Sequence, residues 1–407
     1  MTVFIDPSQN KINRKYDYIE SQEFKDFLNF LEQDANERQI LGGAAPYKAI
    51  EKIKELKLGA LRLPIELGGK GVSIEELFKI FIEIAQFDND IPQILRSHFQ
   101  FVEDLLKSNH AKFQAHWIEE ILKGKVIGNA FTEPVSSAVV GSGEYQTRLV
   151  KVENHYEVTG TKIFSTGTLY ADYVSIRVSD ENNLGLSVIV PTNRKGVLRL
   201  DDWDGIGQKF TASGTTKFDR VIVNSDEIHP IEAEQVKFKP FTQLLLHSVI
   251  AGIVKAIARE ATDLVKSRQR TFVYAVHQDP KQDPLLLEKV GEIVASSYIV
   301  ENAVLSAAHA QDRAFKTTKD GITDYQLSHQ AALEASLVKI SIEPLALKAA
   351  SLLFDVTGAS STRLKYDLDR HWRNIRTLAS HNPAQFKAYA VGNLWVNGTD
   401  LPNNVYF

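Results

Sequence analysis

The chain contains no cysteine among its 407 residues. Disulfides, thiolate metal sites and cysteine nucleophiles are therefore excluded. Methionine is almost missing as well, Met1 being the only one. Cys and Met are the side chains most readily oxidised, so a chain poor in both suits chemistry that releases peroxide. Excess charge of one sign is lacking: the formal net charge is −4. That leaves no general basic surface, and no nucleic-acid partner is expected. No apolar run approaches membrane-spanning length, and the first residues lack a charged segment followed by an apolar stretch. A cytoplasmic protein without a membrane partner is expected. No His/Asp/Glu set has metal-ligand spacing and no Ser-His-Asp order is suggested, so no metal is expected.

What is present is an ordinary globular mixture, 43% apolar and 24% charged. The length predicts two or three domains. The first block reads as helices. Ser73 and Glu76 have the spacing of a capping box, and Leu77, Ile80, Phe81 and Ile84 follow at helical spacing. Further helices are predicted over 91–106 and 112–122. After Gly128 the pattern changes. Val150 and Val152 alternate with polar residues, and Tyr156 and Val158 resume after Glu153-Asn154-His155, which reads as a hairpin. Strands are also predicted over 173–178 and 186–190 and around Phe218, Val221 and Val223. Long helices return over 241–270, 284–315 and 324–354, with a shorter one after Pro383. The expected fold class is α+β. It comprises an N-terminal helical domain (1–126), a small central β-barrel or sandwich domain (127–230) and a C-terminal four-helix bundle (231–407).

Two segments carry chemistry. Gly128-Asn129-Ala130-Phe131-Thr132-Glu133-Pro134 lies where helices give way to strands, and offers amides and a hydroxyl to a polar ring edge. Gly160-Thr161-Lys162-Ile163-Phe164-Ser165-Thr166-Gly167 offers an aromatic face followed by two hydroxyls. In this order, about thirty residues apart, they resemble the flavin-binding pair of the acyl-CoA dehydrogenase superfamily. The resemblance covers about residues 25–395, with the same three-block order. It implies that Asn129, Phe131 and Thr132 border the isoalloxazine, that Phe164 packs on it and that Thr166 points at its N5 region. It also implies that the loops Asp204-Gly205-Ile206-Gly207-Gln208 and Thr211-Ala212-Ser213-Gly214-Thr215 flank the substrate, together with residues around Val135 to Gly141.

Dehydrogenation in that superfamily needs a carboxylate base. The stretch that corresponds to one family position is Ala379-Ser380-His381-Asn382-Pro383, and the other falls near Leu244 in Gln243-Leu244-Leu245-Leu246-His247. Neither contains Asp or Glu. Gly358-Ala359-Ser360, Asp369-Arg370-His371-Trp372-Arg373-Asn374 and Thr377 to Pro383 instead resemble the reduced-flavin monooxygenases related to dibenzothiophene monooxygenase. That resemblance implies FMNH2 supplied by a separate NAD(P)H-dependent flavin reductase, molecular oxygen, a flavin C4a-hydroperoxide, and a small hydrophobic substrate oxygenated at sulfur or nitrogen. It places Ser380 and His381 at the flavin, with His381 holding the hydroperoxide or shuttling a proton. Phe354 to Ser361 lacks paired glycines, which favours FMN over FAD. Arg268 and Arg270 match the family's phosphate cations. His98, in Leu95-Arg96-Ser97-His98-Phe99, is a candidate substrate-side group. A homotetramer formed through the bundle is expected. The alternatives are an FAD-dependent acyl-CoA dehydrogenase with an atypical base, and a flavin-free binding scaffold.

Overall fold

The computed structural model describes residues 16–40, 42–134, 144–230 and 238–407. Six helices come first: α1 (Gln22–Ile40), α2 (Tyr47–Glu55), α3 (Ile74–Ala85), α4 (Asp90–Ile94), α5 (Arg96–Lys107) and α6 (Ala111–Leu122). The capping box at Ser73 is half formed. Ser73 Oγ accepts from the Glu76 amide at 3.0 Å. The Glu76 carboxylate turns away to accept from the amides of Tyr18 and Ile19, which ties the segment before α1 to α3. The helix expected over 91–106 is interrupted at Leu95, so α5 begins with Arg96.

Eight strands follow: β1 (Ile127–Ala130), β2 (Arg148–Val152), β3 (His155–Lys162), β4 (Tyr173–Ser179), β5 (Gly185–Pro191), β6 (Val197–Arg199), β7 (Thr216–Val223) and β8 (Ile228–Pro230). They form one sheet in the order β6-β7-β3-β2-β4-β5-β8, with β1 pairing parallel to β4. The β2–β3 hairpin read from the alternation is present, with Val152 opposite His155. Val158, Val174, Ile176, Val188, Val190 and Val221 are wholly buried in its core, as β-branched residues on a covered sheet face should be.

The third block contains α7 (Pro240–Ser267), α8 (Pro284–Phe315), α9 (Tyr325–Thr357), α10 (Asp369–Ala379) and α11 (Ala384–Asn397). Sequence sets the starts of the longer two. Asp283 accepts from the Leu285 amide ahead of Pro284, and Asp324 accepts from the Leu327 amide. α7, α8 and α9 pack together, α10 lies on α7 and α9, and α11 lies on α9. Contrary to the sequence expectation, α7 is long and apolar enough to cross a membrane by length and composition. Most of that stretch is buried inside the chain, so the apolar run is spent on the core.

α3 seats the first block on the bundle. A Cβ at Gly252 of α7 would stand 2.4 Å from Ala85 Cβ and 2.7 Å from Ile82 O, so glycine is what lets the two helices approach. Asp312 of α8 accepts from the amides of Ile74 and Glu75 at 2.8 and 2.9 Å. A carboxylate at a helix N-terminus is favourably placed.

Candidate active site

The two flavin-like segments, distant in sequence, meet in the sheet. The Ile163 amide donates to Thr132 O at 2.8 Å in an isolated bridge. Lys162 Nζ donates to Glu133 Oε1 at 2.9 Å. Glu133 also accepts from the amides of Gln146 and Thr147 and from Thr147 Oγ1. Burial works against the carboxylate, but these donors outweigh it and hold Glu133 below its ordinary pKa. Phe131 and Phe164 flank the bridge in sequence and are 36% and 53% exposed. Phe164 has φ +53°, in the left-handed region that non-glycine residues avoid. Its ring stands edge-on to Trp203 at 6.0 Å, and the Arg177 guanidinium lies 4.9 Å over Phe131. Exposed aromatic faces, one of them held at a backbone cost, are of the kind on which a flat ligand could stack.

Polar groups ring those faces. The Ser165 amide donates to Gly214 O, while Ser165 Oγ is buried without a partner among the described residues. Thr166 is buried, and its Oγ1 shares a 2.8 Å hydrogen bond with Ser213 Oγ. Ser213 shares another with Thr211, whose hydroxyl donates to Gln208 O. Gly167 follows with φ +77°, and a Cβ there would stand 2.2 Å from Ile94 O. The loop carrying Gln208 is pinned to α10, because its amide donates to Asn374 Oδ1 at 2.7 Å and Arg373 donates to Ile206 O. Asn129 Oδ1 accepts from Ser97 Oγ at 2.8 Å, which ties β1 to the start of α5. The 135–141 loop lies outside the described residues.

His381 sits in the turn after α10, with an exposed edge. Arg96 Nη1 lies 3.2 Å from its Nε2. The surrounding protein, and after it the Arg96 and Lys339 charges, push the imidazole pKa down. Ser380 Oγ is spent on Arg376 O. Behind the turn, Asn382 donates to Gln243 Oε1 at 2.6 Å, and Lys339 donates to Ala379 O and to Glu343. His247 Nε2 is 3.4 Å from the same carboxylate. The sequence reading found no carboxylate at either base position of the family, and α9 supplies Glu343 nearby. Burial opposes its charge, but His247 and Lys339 hold its pKa below the ordinary value. An ion-paired carboxylate behind the turn is not a free base.

One expectation is corrected. His98 is wholly buried. Its Nε2 meets Gly59 O at 3.0 Å, and its Nδ1 accepts from the Ile127 amide at 3.2 Å. Burial pushes its pKa down to about 4. One nitrogen braces α5 against the turn at Gly59 and the other braces it against β1, so no edge faces a substrate. The residue of that helix that reaches the site is Arg96, which the sequence reading passed over. Arg268 and Arg270 follow the end of α7. Arg268 donates to Val356 O and Arg270 O at the end of α7. Twenty-five residues of helix separate it from Gln243 beside His381, about 37 Å at 1.5 Å per residue.

Thr166→Val should preserve the fold, because Ser213 keeps Thr211 as a partner. The expected cost is about 0.5–1.5 kcal/mol of stability, with weaker binding of reduced FMN. Unchanged values in both chemical denaturation and flavin titration would remove Thr166 from the site.

Helical block, sheet and bundle give the chain an acyl-CoA dehydrogenase-like fold. Residues 244–386 match the family described as "Acyl-CoA dehydrogenase, C-terminal domain". Within that class the resemblance is to flavin-dependent monooxygenases. The chain is 28% identical over 381 residues to "Dibenzothiophene monooxygenase" of Rhodococcus erythropolis, covering 89% of this chain and 90% of that one. It is 25% identical over 372 residues to "Probable FMNH2-dependent monooxygenase SfnC" of Pseudomonas putida, covering 90% and 91%. Its fold matches that of TdsC from Paenibacillus sp. A11-2, solved with FMN and indole. The TM-score is 0.84, with 24% identity over 95% of this chain and 98% of that one.

Proposed function

We propose that this protein is the oxygenase of a two-component system. It takes reduced FMN from a separate flavin reductase and uses molecular oxygen to oxygenate a small hydrophobic substrate, at sulfur or nitrogen. The observation that carries the reading is the Thr132–Ile163 bridge. It sets the exposed Phe131 and Phe164 beside the orphaned Ser165 hydroxyl, a combination that fits an isoalloxazine ring with its polar edge. The names of the relatives, an FMNH2-dependent monooxygenase and monooxygenases of a sulfur heterocycle, support the same reading.

When bound, reduced FMN supplies two electrons to oxygen, so that one atom enters the substrate and the other leaves as water. The chain's part is to hold and shield. Phe164 and Phe131 support the ring face. Thr132 and Ser165 offer hydrogen bonds to its edge. Thr166, fixed by Ser213, sets the wall nearest the reacting atoms. His381 would offer its imidazole as a hydrogen-bonding group beside the flavin. A dehydrogenase would need a free carboxylate, and Glu343 is engaged by Lys339 and His247. Exposed apolar residues on α8 and α11, among them Tyr298, Phe386, Tyr389 and Val396, support assembly into a homotetramer.

The test is anaerobic titration with chemically reduced FMN and FAD, followed by oxygen and a panel of thioethers, thiophenes and amines. FMN is expected to bind at least about tenfold tighter, which is about 1.4 kcal/mol. A sulfoxide or N-oxide should carry label from 18O2. Tighter FAD binding, or dye reduction by a fatty acyl-CoA, would overturn the reading.

A further inference from the structure

Among the described residues the His381 side chain has one polar contact, and it determines the ring's chemistry. Arg96 Nη1 lies 3.2 Å from Nε2. A guanidinium carries N–H donors only and stays protonated in proteins. The nitrogen it meets must therefore be bare. A neutral imidazole bears a single proton, so that proton sits on Nδ1.

We propose that Arg96 is the positioning residue for His381. It holds the ring neutral in the Nδ1–H tautomer, so that His381 works as a fixed hydrogen-bond donor and not as a proton shuttle. The catalytic consequence rests on the oxygenase reading above; the tautomer does not.

The surroundings agree. The titratable groups acting on the ring are Arg96 from α5, Lys339 from α9 and His247 from α7, the last with its own pKa lowered by burial. The nearby carboxylate, Glu343, is already taken by Lys339 and His247. Among the described residues no carboxylate pairs with Arg96. Burial pushes Arg96 down to about 10, which still leaves it charged at neutral pH. An imidazolium at His381 would add a cation to this group with no free anion to offset it. Using the ring as a base at Nε2 would first require breaking the Arg96 contact. A donor fixed in advance and aimed at the place where charge develops is worth more than one that must reorient.

The experiment has two arms. The first is two-bond 1H–15N NMR of histidine-labelled, flavin-free protein, with the His381 signals identified by their loss in His381→Gln. The wild type should show Nδ1 protonated and no titration between pH 5 and 8. Arg96→Lys also presents only donors and should keep this pattern. Arg96→Met should lose it, with the titration midpoint rising while burial still keeps it below the ordinary value of about 6.5. The second arm is the ratio of hydrogen peroxide to product against pH in the FMNH2 reaction. It should be flat in wild type and Arg96→Lys, and should acquire a midpoint in Arg96→Met. A wild-type ring protonated on Nε2, or an Arg96→Met protein with unchanged tautomer and midpoint, would overturn the proposal. The predicted NMR pattern without any oxygenation would uphold the Arg96–His381 pairing and overturn the oxygenase reading instead.

Discussion

Replacing His381 with alanine is expected to leave the fold standing and to divert oxygen from product into hydrogen peroxide. The side chain has an exposed edge and its polar contact is Arg96. Its turn is held by other groups, with Ser380 bonded to Arg376 O and Asn382 to Gln243. Truncation therefore costs little packing. It does remove the donor proposed to steady oxygen beside the flavin. Losing one preorganised donor typically costs about 10²–10³-fold in rate. Product formation should fall by that factor while oxygen consumption continues. The measurement is the ratio of peroxide to product in both proteins, with melting temperature as control. An unchanged ratio and rate would take His381 out of the chemistry. A collapsed melting point would show that the turn, and not the oxygen, depends on it.

The long helices were legible because their signals are local. Asp283-Pro284 and Asp324 announce helix starts, and apolar spacing carries the helices onward. The hairpin was legible for the same reason. The pairing of Thr132 with Ile163 was not read from the sequence, since neither segment alone states its partner. Residues 96–98 show where sequence fails. A histidine and an arginine two positions apart both suit chemistry, and the decision lies in Gly59 O and the Ile127 amide, which are contacts no local pattern contains. Glu343 was hidden similarly. Four residues after Lys339, it has the spacing of a solvated helix pair, yet both side chains are nearly buried. Glu76 satisfies a capping-box pattern but finds better donors in Tyr18 and Ile19. In each case the deciding partner is remote in sequence.

Lys162→Met should be the most destabilising single change at the site. Lys162 is fully buried, and its ammonium meets Glu133 Oε1, whose side chain is 5% exposed. Burial pushes the Lys162 pKa down, and Glu133 restores part of it. The ammonium also lies 4.6 Å over the Tyr145 ring. Breaking a buried pair by removing one partner typically costs about 3–5 kcal/mol, because the other charge is left behind. Glu133 keeps the two amides and the Thr147 hydroxyl, so the expected loss is at the lower end, about 3 kcal/mol. The consequence reaches function, because Lys162 precedes Ile163 and Phe164. Slackening there should release the Phe164 backbone from its left-handed conformation and weaken binding of reduced FMN. A double-mutant cycle separates charge from shape. Glu133→Gln combined with Lys162→Met removes the stranded carboxylate, and should be more stable than Lys162→Met alone. Denaturation and flavin titration of the four proteins decide it. A loss below about 1 kcal/mol, the range of an exposed ion pair, or no relief in the double mutant, would show that this pair does not hold the two flavin-facing segments together.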